Sequence, residues 1–307
     1  MRPTRQPYDT SGLVAAFAAF VTWGLVPVYW KLLRFIPAAE ILAHRFVWTC
    51  VFMVLLLSGQ WRWPEVFANL RSRRTALLCA ASGVAIAINW FVFIWAVNAG
   101  RVLETSLGYF MTPLVNVLFG ALFLRERLTR GQLLSVLLAT GAVCYLTFGF
   151  GRLPWVALIL CFSFGIYGLL RKISGAASIP GLFLETTVLV PFALGYLFYL
   201  ERQHTLHFGL SIPGLSLLLI STGIVTGVPL LWFAHAARHL RLTTLGFLQY
   251  LAPSCTFFLG IFVFHESFRR GQMLTFLLIW IALAVFTADA VRHWRLTKTS
   301  ALQPIEL

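Results

Sequence analysis

The ionisable side chains that could do chemistry in this chain lie inside long apolar stretches, where a charged group is costly and is functional by default. Glu40, His44 and Arg45 come early in one stretch, and Glu40 and His44 share a helix face because they are four residues apart. Glu104 opens a later stretch, and Glu185 lies one or two turns inside another. Residues of these types bind polar substrates or carry protons.

Each of these positions also has a purely structural interpretation. Arg45 either contacts a ligand or gate, or it snorkels outward or braces the bundle through Glu104 on the same side. Glu185 either loads a proton, or it forms an ion pair with Arg171 or Lys172 on the same face. Glu104 and Glu185 are therefore the proton-coupling or gating candidates, one near each face of the membrane.

Aromatic, amide and hydroxyl side chains are dense at the middle of the apolar stretches. A pocket of apolar and aromatic groups with a few amides and hydroxyls suits a small amphipathic organic molecule. Core packing explains any one of these residues taken alone. The substrate-binding candidates are Trp23, Tyr29, His44, Arg45, Asn89, Trp90, Trp95, Tyr109, Tyr167, Trp232, Gln249 and Tyr250.

The elements that must position these residues are membrane-spanning helices. The 307 residues are 59% hydrophobic and only 11% charged, whereas a soluble chain carries about 25% charged residues. Apolar stretches of roughly 18 or more residues recur along the whole chain. The sequence predicts an all-α integral membrane protein of ten transmembrane helices, near residues 11–31, 38–58, 75–97, 103–124, 132–150, 154–170, 180–200, 213–237, 242–264 and 272–291.

The second half of the chain repeats the first at an offset of 140 residues. Pro113 falls on Pro253, and residues 130–132 fall on 270–272 with the same three residue types. Five spans per half place the copies in opposite orientations, the inverted-repeat architecture of many secondary transporters. The two prolines are predicted hinges, because a proline inside a span permits a bend. The predicted domains are residues 1–150 and 151–307.

Residues present in both copies are expected to be architectural, and chemistry is expected where the halves differ. Glu126 falls on Glu266, and both are predicted to cap the helix that follows and to pair with the arginine four residues later. Arg45 has no charged counterpart, because the drifting offset aligns it with Val188.

The net charge of +14 is explained by topology rather than by nucleic-acid binding. Most arginines and lysines fall on one side of the predicted membrane, which places both termini in the cytoplasm. The five cysteines all fall within spans and show no C-x-x-C spacing, so they predict neither a metal site nor disulfides. No phosphate-binding loop or hydrolase motif is present, and no cofactor is expected.

Several segments together resemble the RarD branch of the drug/metabolite transporter superfamily, which is built from paired EamA domains. The resemblance covers about residues 11–290. It implies ten transmembrane helices in two inverted repeats at the bacterial inner membrane. It also implies export of small metabolites or drugs, with a central cavity between both halves. The segments that carry it are Thr22–Lys31, Glu40–Arg45, Asn89–Trp90, Glu104–Phe110, Ser163–Lys172 and Leu245–Tyr250.

The sequence therefore predicts a secondary transporter rather than an enzyme. It would export small amphipathic metabolites, amino-acid-like, or drugs such as chloramphenicol, by alternating access between the repeats. A membrane-embedded enzyme and a non-transporting scaffold or receptor are the alternatives. Proton antiport and facilitated diffusion both stay open, as do a monomer and a homodimer.

Overall fold

A computed structural model describes residues 10–124, 128–149, 151–209, 212–239, 248–268 and 270–300, and within these ranges the protein is α-helical with no strand. Nine of the described helices are long and apolar enough to cross a membrane, and Leu251–Val263 is a shorter apolar helix. They match the ten predicted spans in order, which confirms the predicted fold class. The helices are α1 Thr10–Leu32, α2 Ala38–Gly59, α3 Trp63–Arg71, α4 Arg73–Asn98, α5 Val102–Leu124, α6 Arg130–Cys144, α7 Trp155–Ser174, α8 Ser178–Arg202, α9 Pro213–His239, α10 Leu251–Phe258 and α11 Arg270–Ser300. Short π-helical segments, Tyr145–Gly149 and Leu259–Val263, continue α6 and α10.

Helix α3 was not predicted, because nine residues are too few to span a bilayer. Its first turn contains a proline, whose fixed φ angle suits a helix start. Arg62 precedes it and pairs with Glu65 at 2.7 Å. Val66 is buried while Phe67 is exposed, so this helix lies at the edge of the bundle between the second and third spans.

The packing of the helices is nearly unchanged when the two halves are exchanged. Helix α4 packs on α7 as α1 packs on α9, and α5 packs on α7 as α1 packs on α10. Three further contacts pair equivalent helices directly: α2 with α8, α5 with α10, and α6 with α11. This exchange is the packing expected of inverted repeats. The boundary between residues 150 and 151 stays a prediction.

Two glycines at the repeat offset allow close backbone contacts between helices of the two halves. A Cβ on Gly83 of α4 would stand 2.7 Å from the Glu185 carbonyl oxygen on α8. A Cβ on Gly223 of α9 would stand 2.4 Å from the Trp48 carbonyl oxygen on α2. Small residues at such crossings let membrane helices approach backbone to backbone. These contacts fix α2 and α8, which carry Arg45 and Glu185.

The predicted hinge prolines lie inside helices, Pro113 in α5 and Pro253 in α10. Near the first, Thr112 Oγ1 donates to the Gly108 carbonyl at 3.2 Å. The Pro253 carbonyl accepts a hydrogen bond from Ser106 Oγ of α5 at 2.7 Å. The two helices that contain the prolines are thus joined to each other, whereas the hinge role itself stays a prediction.

Candidate functional site

Arg45 is a buried cation between two tryptophan rings. Its Cζ lies 3.6 Å from the ring centroid of Trp90 and 5.2 Å from that of Trp30, which is cation–π geometry. Only 8% of the residue is exposed. In the described part of the chain no carboxylate lies within 4.0 Å of the guanidinium. The alternative in which Arg45 is braced by Glu104 is therefore wrong.

Asn89 joins three helices beside Arg45. Its Nδ2 donates to the Leu160 carbonyl at 2.9 Å and to Ser163 Oγ at 3.0 Å. Its Oδ1 accepts the Tyr109 hydroxyl proton at 3.0 Å. Asn89 is fully buried, and these three bonds satisfy most of its hydrogen-bonding capacity. They link α4, α5 and α7 at mid-span.

Aromatic rings continue from this amide toward the other end of the bundle. The ring centroids of Tyr109 and Phe164 are 6.0 Å apart, and those of Phe164 and Tyr167 are 5.8 Å apart. The Tyr167 hydroxyl then donates to Glu185 Oε2 at 3.4 Å. Trp90 follows Asn89 directly in the chain, and the Phe164 ring joins Tyr109 to Tyr167. Through these links one series is formed, here called the polar path, by the candidates Arg45, Trp90, Asn89, Tyr109, Tyr167 and Glu185.

Glu185 ends the polar path as a fully buried carboxylate with partners from two other helices. Ser82 Oγ of α4 donates to its Oε1 at 2.7 Å, in addition to the bond from Tyr167 of α7. Arg171 Nη1 of α7 lies 3.4 Å from the same Oε1. The predicted ion pair with Arg171 is thereby confirmed, and the charge of Glu185 is balanced inside the protein.

At the opposite end, Glu40 is also fully buried and has its own partners. Its Oε1 accepts the His207 backbone N–H at 2.7 Å, and its Oε2 lies 2.8 Å from His207 Nδ1. The His44 ring packs against Phe208, with ring centroids 4.9 Å apart. Glu40 and His44 share a helix face as predicted, but they hold the segment between α8 and α9 rather than forming a pair.

Glu104 lies at this same end of the bundle and pairs with Arg101 at 2.7 Å. The Arg101 guanidinium also covers Trp155, which packs against Trp95 in the last turn of α4. Trp95 therefore belongs to the end of the bundle and not to the polar path. Arg101 and Glu104 border a cavity of about 520 Å³ between α5, α6 and α11 that also contacts Gln272.

The other aromatic candidates lie on separate contacts. The Tyr29 hydroxyl donates to the Leu218 carbonyl and lies 2.9 Å from Ser221 Oγ, which joins α1 to α9. Trp23 packs against Phe233 at 5.7 Å, and Tyr250 stacks on Phe110 at 6.4 Å. The remaining two candidates are Trp232, which is 39% exposed, and Gln249, which is half-buried.

Glu266 caps a different helix from the one predicted. Its two carboxylate oxygens accept the backbone N–H groups of Val102 at 2.7 Å and Leu103 at 2.9 Å, at the start of α5. Burial raises the pKa of Glu266, while these two N–H groups lower it by a smaller amount. The repeat partner Glu126 lies outside the described residues. Helix α6 is instead capped by Thr129, in a capping box with Gln132.

Arg45 and Glu185 occupy equivalent positions, a correspondence that the sequence alignment of the halves missed. Each lies seven residues after the first residue of its helix, Ala38 in α2 and Ser178 in α8. The Ile-Pro pairs at 36–37 and 179–180 set the alignment of the two halves near Arg45. However, Pro37 lies just before the first residue of α2, whereas Pro180 lies inside α8. The constant offset of 140 would have found the pair.

Comparison with known proteins places this architecture among transporters. The EamA-like transporter family matches residues 10–148. The chain is 45% identical to YojE of Bacillus subtilis, named an uncharacterized transporter, over 94% of this chain and 97% of that protein. It is 45% identical to protein RarD of Escherichia coli, over 93% and 97%. It is 31% identical to the chloramphenicol-sensitive protein RarD of Pseudomonas aeruginosa, over 92% and 96%.

A solved crystal structure shares the fold at lower sequence similarity. It covers 92% of this chain and 98% of its own, with a TM-score of 0.58 and 17% identity. At that identity the likeness concerns the fold alone.

Proposed function

The chain belongs to the RarD proteins of the EamA-like transporter family, and from that premise we propose that it is a secondary transporter that exports small amphipathic molecules. Its substrates would be amino-acid-like metabolites or drugs such as chloramphenicol. One relative is named a chloramphenicol-sensitive protein. Transport would proceed by alternating access between the two inverted repeats, residues 1–150 and 151–307.

The observation that supports this proposal is the polar path. It crosses the bundle from Arg45 on α2 to Glu185 on α8, through side chains of both halves. Polar and ionisable groups inside a membrane bundle mark substrate and ion pathways. Transporters of this architecture bind substrate near the midplane between the repeats, which is where Asn89 and Tyr109 meet.

In this proposal a gate lies at each end of the helix bundle. Glu185 holds α4, α7 and α8 together at one end through Ser82, Tyr167 and Arg171. At the other end Glu104 and Arg101 join the start of α5 to the tryptophans of α4 and α7. Protonation or movement of either carboxylate would release its contacts and open that end.

We infer further that the protein is not an enzyme. Arg45, Glu104 and Glu185 do not pair with one another in the described residues, whereas a catalytic centre would require them at one place. By the same proposal the protein lies in the bacterial inner membrane with both termini in the cytoplasm and binds no nucleic acid. Its oligomeric state is open between monomer and homodimer.

The first experiment is flux measured with the purified protein in liposomes, for a panel of amino acids and chloramphenicol, with and without a pH gradient. Flux stimulated by the gradient would establish a proton-coupled carrier. Flux indifferent to pH would establish a facilitator. No flux of any compound would contradict the proposed function.

The site assignment is tested by two variants in the same assay. Arg45→Ala and Glu185→Gln are each expected to abolish transport without loss of membrane expression. Glu65→Gln is the matched control, because Glu65 is a carboxylate of the peripheral helix α3 with 45% of its side chain exposed. Normal flux in both test variants would contradict the assignment.

A further inference from the structure

Arg45 carries a buried charge that the described residues leave without a counter-charge. The other buried carboxylates have partners of their own: Glu40 accepts the His207 backbone N–H, and Glu185 pairs with Arg171. Tyr29 and Tyr109 lie within electrostatic range of the Arg45 guanidinium, but both are neutral hydroxyl groups. A buried ion without a partner is strongly unfavourable, so an anion that joins Arg45 would be bound tightly.

Arg45 and the tryptophans near it in the fold or in α2 carry buried hydrogen-bond donors without acceptors. Arg45 Nε and the indole Nε1 of Trp30 are both buried and have no hydrogen-bond partner among the described residues. The indole N–H of Trp48, one turn along α2, is also buried and has no hydrogen-bond partner among the described residues. Arginine and tryptophan nitrogens donate and never accept. This set of donors therefore matches a ligand that offers acceptor atoms.

We propose that Arg45 and the indole N–H of Trp30 bind the carboxylate of the transported substrate. The inference rests on the proposed function and narrows its substrate class to organic acids and amino acids. A planar guanidinium matches a carboxylate with two parallel hydrogen bonds, and the charge assists both. The apolar part of the substrate would pack on Trp90. Chloramphenicol has no carboxylate, so it does not fit this site.

A carboxylate fits better than a more highly charged anion. The site offers one guanidinium, and in the described part of the chain Arg45 is the cation that lies between Trp30 and Trp90. A phosphate monoester would bring a second negative charge for which these residues provide no second cation. One charge on the ligand neutralises one charge on the protein.

Ligand-induced thermal stabilisation of the purified protein in detergent tests the proposal directly. The probes are L-phenylalanine, L-leucine and phenylacetate, each compared with its own amide, and chloramphenicol. At least one acid is expected to raise the melting temperature in a concentration-dependent manner, while its amide does not. The proposal is overturned if no acid raises it, if an amide matches its acid, or if chloramphenicol alone stabilises.

Variants then assign the effect to the proposed residues. Arg45→Gln is expected to weaken binding of the stabilising acid about 30-fold or more, because truncating a buried charge pair has an effect of this size. Arg45→Lys should weaken binding by an intermediate amount, since lysine keeps the positive charge but cannot form the two parallel hydrogen bonds of a guanidinium. Trp30→Phe should weaken binding several-fold, and Arg34→Gln, which changes an exposed cation near the same face, should leave it unchanged. Equal binding in Arg45→Gln and the parent protein overturns the proposal.

The ligand-free protein distinguishes a binding role from a structural one. Arg45→Met removes the unpaired charge and keeps an apolar side chain of similar length, so the melting temperature without ligand should be equal or higher. A lower melting temperature together with unchanged acid binding would identify Arg45 as a structural brace and overturn the proposal.

Measurements of binding and of flux distinguish the proposed carboxylate site from the proposed transport function. Acid-specific binding that depends on Arg45, without flux of any compound, supports the carboxylate site and contradicts the transporter proposal. Flux of a neutral compound that is unchanged in Arg45→Gln supports transport and contradicts the carboxylate site.

Discussion

Arg45 and Glu185 stand at equivalent positions of equivalent helices, yet their surroundings are opposite. Glu185 has a cation, a serine hydroxyl and a tyrosine hydroxyl as partners, from α4 and α7. Arg45 has two tryptophan rings and no carboxylate within the described residues. Within one repeated scaffold, therefore, one half satisfies its buried charge internally and the other leaves its charge for an external partner.

This difference separates a residue that stabilises one conformation from a residue that binds a ligand. A charge balanced by the protein stabilises one conformation and is released when that conformation changes. A charge left unbalanced raises the free energy of the ligand-free protein. This unfavourable term is removed only when a ligand of opposite charge binds. The repeat thus supplies the same position twice, and divergence of the residue type gives each copy a different task.

The largest effect is expected when the ion pair between Glu185 and Arg171 is broken. Glu185→Met leaves the Arg171 guanidinium, of which 18% of the side chain is exposed, without its counter-charge, and should lower the free energy of unfolding by about 3 kcal/mol. Thermal unfolding in detergent measures this change. The double variant Arg171→Met with Glu185→Met should recover most of the loss, because no unpaired charge remains. Full additivity of the two single changes would show that the pair is not coupled.

The next effect tests the backbone contact that holds Glu185 in place. Gly83→Ala puts a methyl group 2.7 Å from the Glu185 carbonyl oxygen, and should lower the free energy of unfolding by about 1–3 kcal/mol through overpacking. Gly195→Ala is the control within α8, because nothing lies within 4 Å of its added Cβ. The control should be neutral or slightly stabilising. Equal melting temperatures for Gly83→Ala and the control would contradict the close packing.

The helices themselves were predictable because their signal is local, whereas the partners of their charged residues were not. Long apolar runs identify spans directly, and the Glu185–Arg171 pair follows from their shared face. The partner of Glu40 is His207, which is 167 residues away, so no local pattern points to it. Glu266 shows the same limit: a carboxylate after one helix suggested a cap for the next helix in sequence, but it caps the helix beside it in space.

A smaller effect tests the link between the two ends. Tyr109→Phe removes the hydroxyl that donates to Asn89 Oδ1 at 3.0 Å, and should lower the free energy of unfolding by about 0.6 kcal/mol, the typical value for a hydrogen bond between membrane helices. Tyr199→Phe is the control, since that tyrosine is 56% exposed on α8. A loss in Tyr109→Phe no larger than in this control would mean that the link contributes nothing to stability.

The smallest effect is a pH dependence outside the spans, at Glu266. Burial raises its pKa in the folded protein, so the folded state holds the proton more strongly than the unfolded state, where the pKa is about 4.3. The stability contributed by this group is therefore present at low pH and is lost as pH rises from about 4.3 through the higher folded pKa. Lys31 of α1 opposes the shift and Glu104 of α5 adds to it.

Glu266→Gln removes this titration and keeps one acceptor oxygen for the start of α5. Across that pH range, the parent protein should lose melting temperature relative to Glu266→Gln as the pH rises. Glu201→Gln, at an exposed carboxylate in the last turn of α8, should leave the pH profile of the parent unchanged. A profile for Glu266→Gln that coincides with the parent would mean that α5 is capped without a titrating charge. In that case Glu266 would differ from Arg45 and Glu185, because its ionisation would have no consequence for the fold.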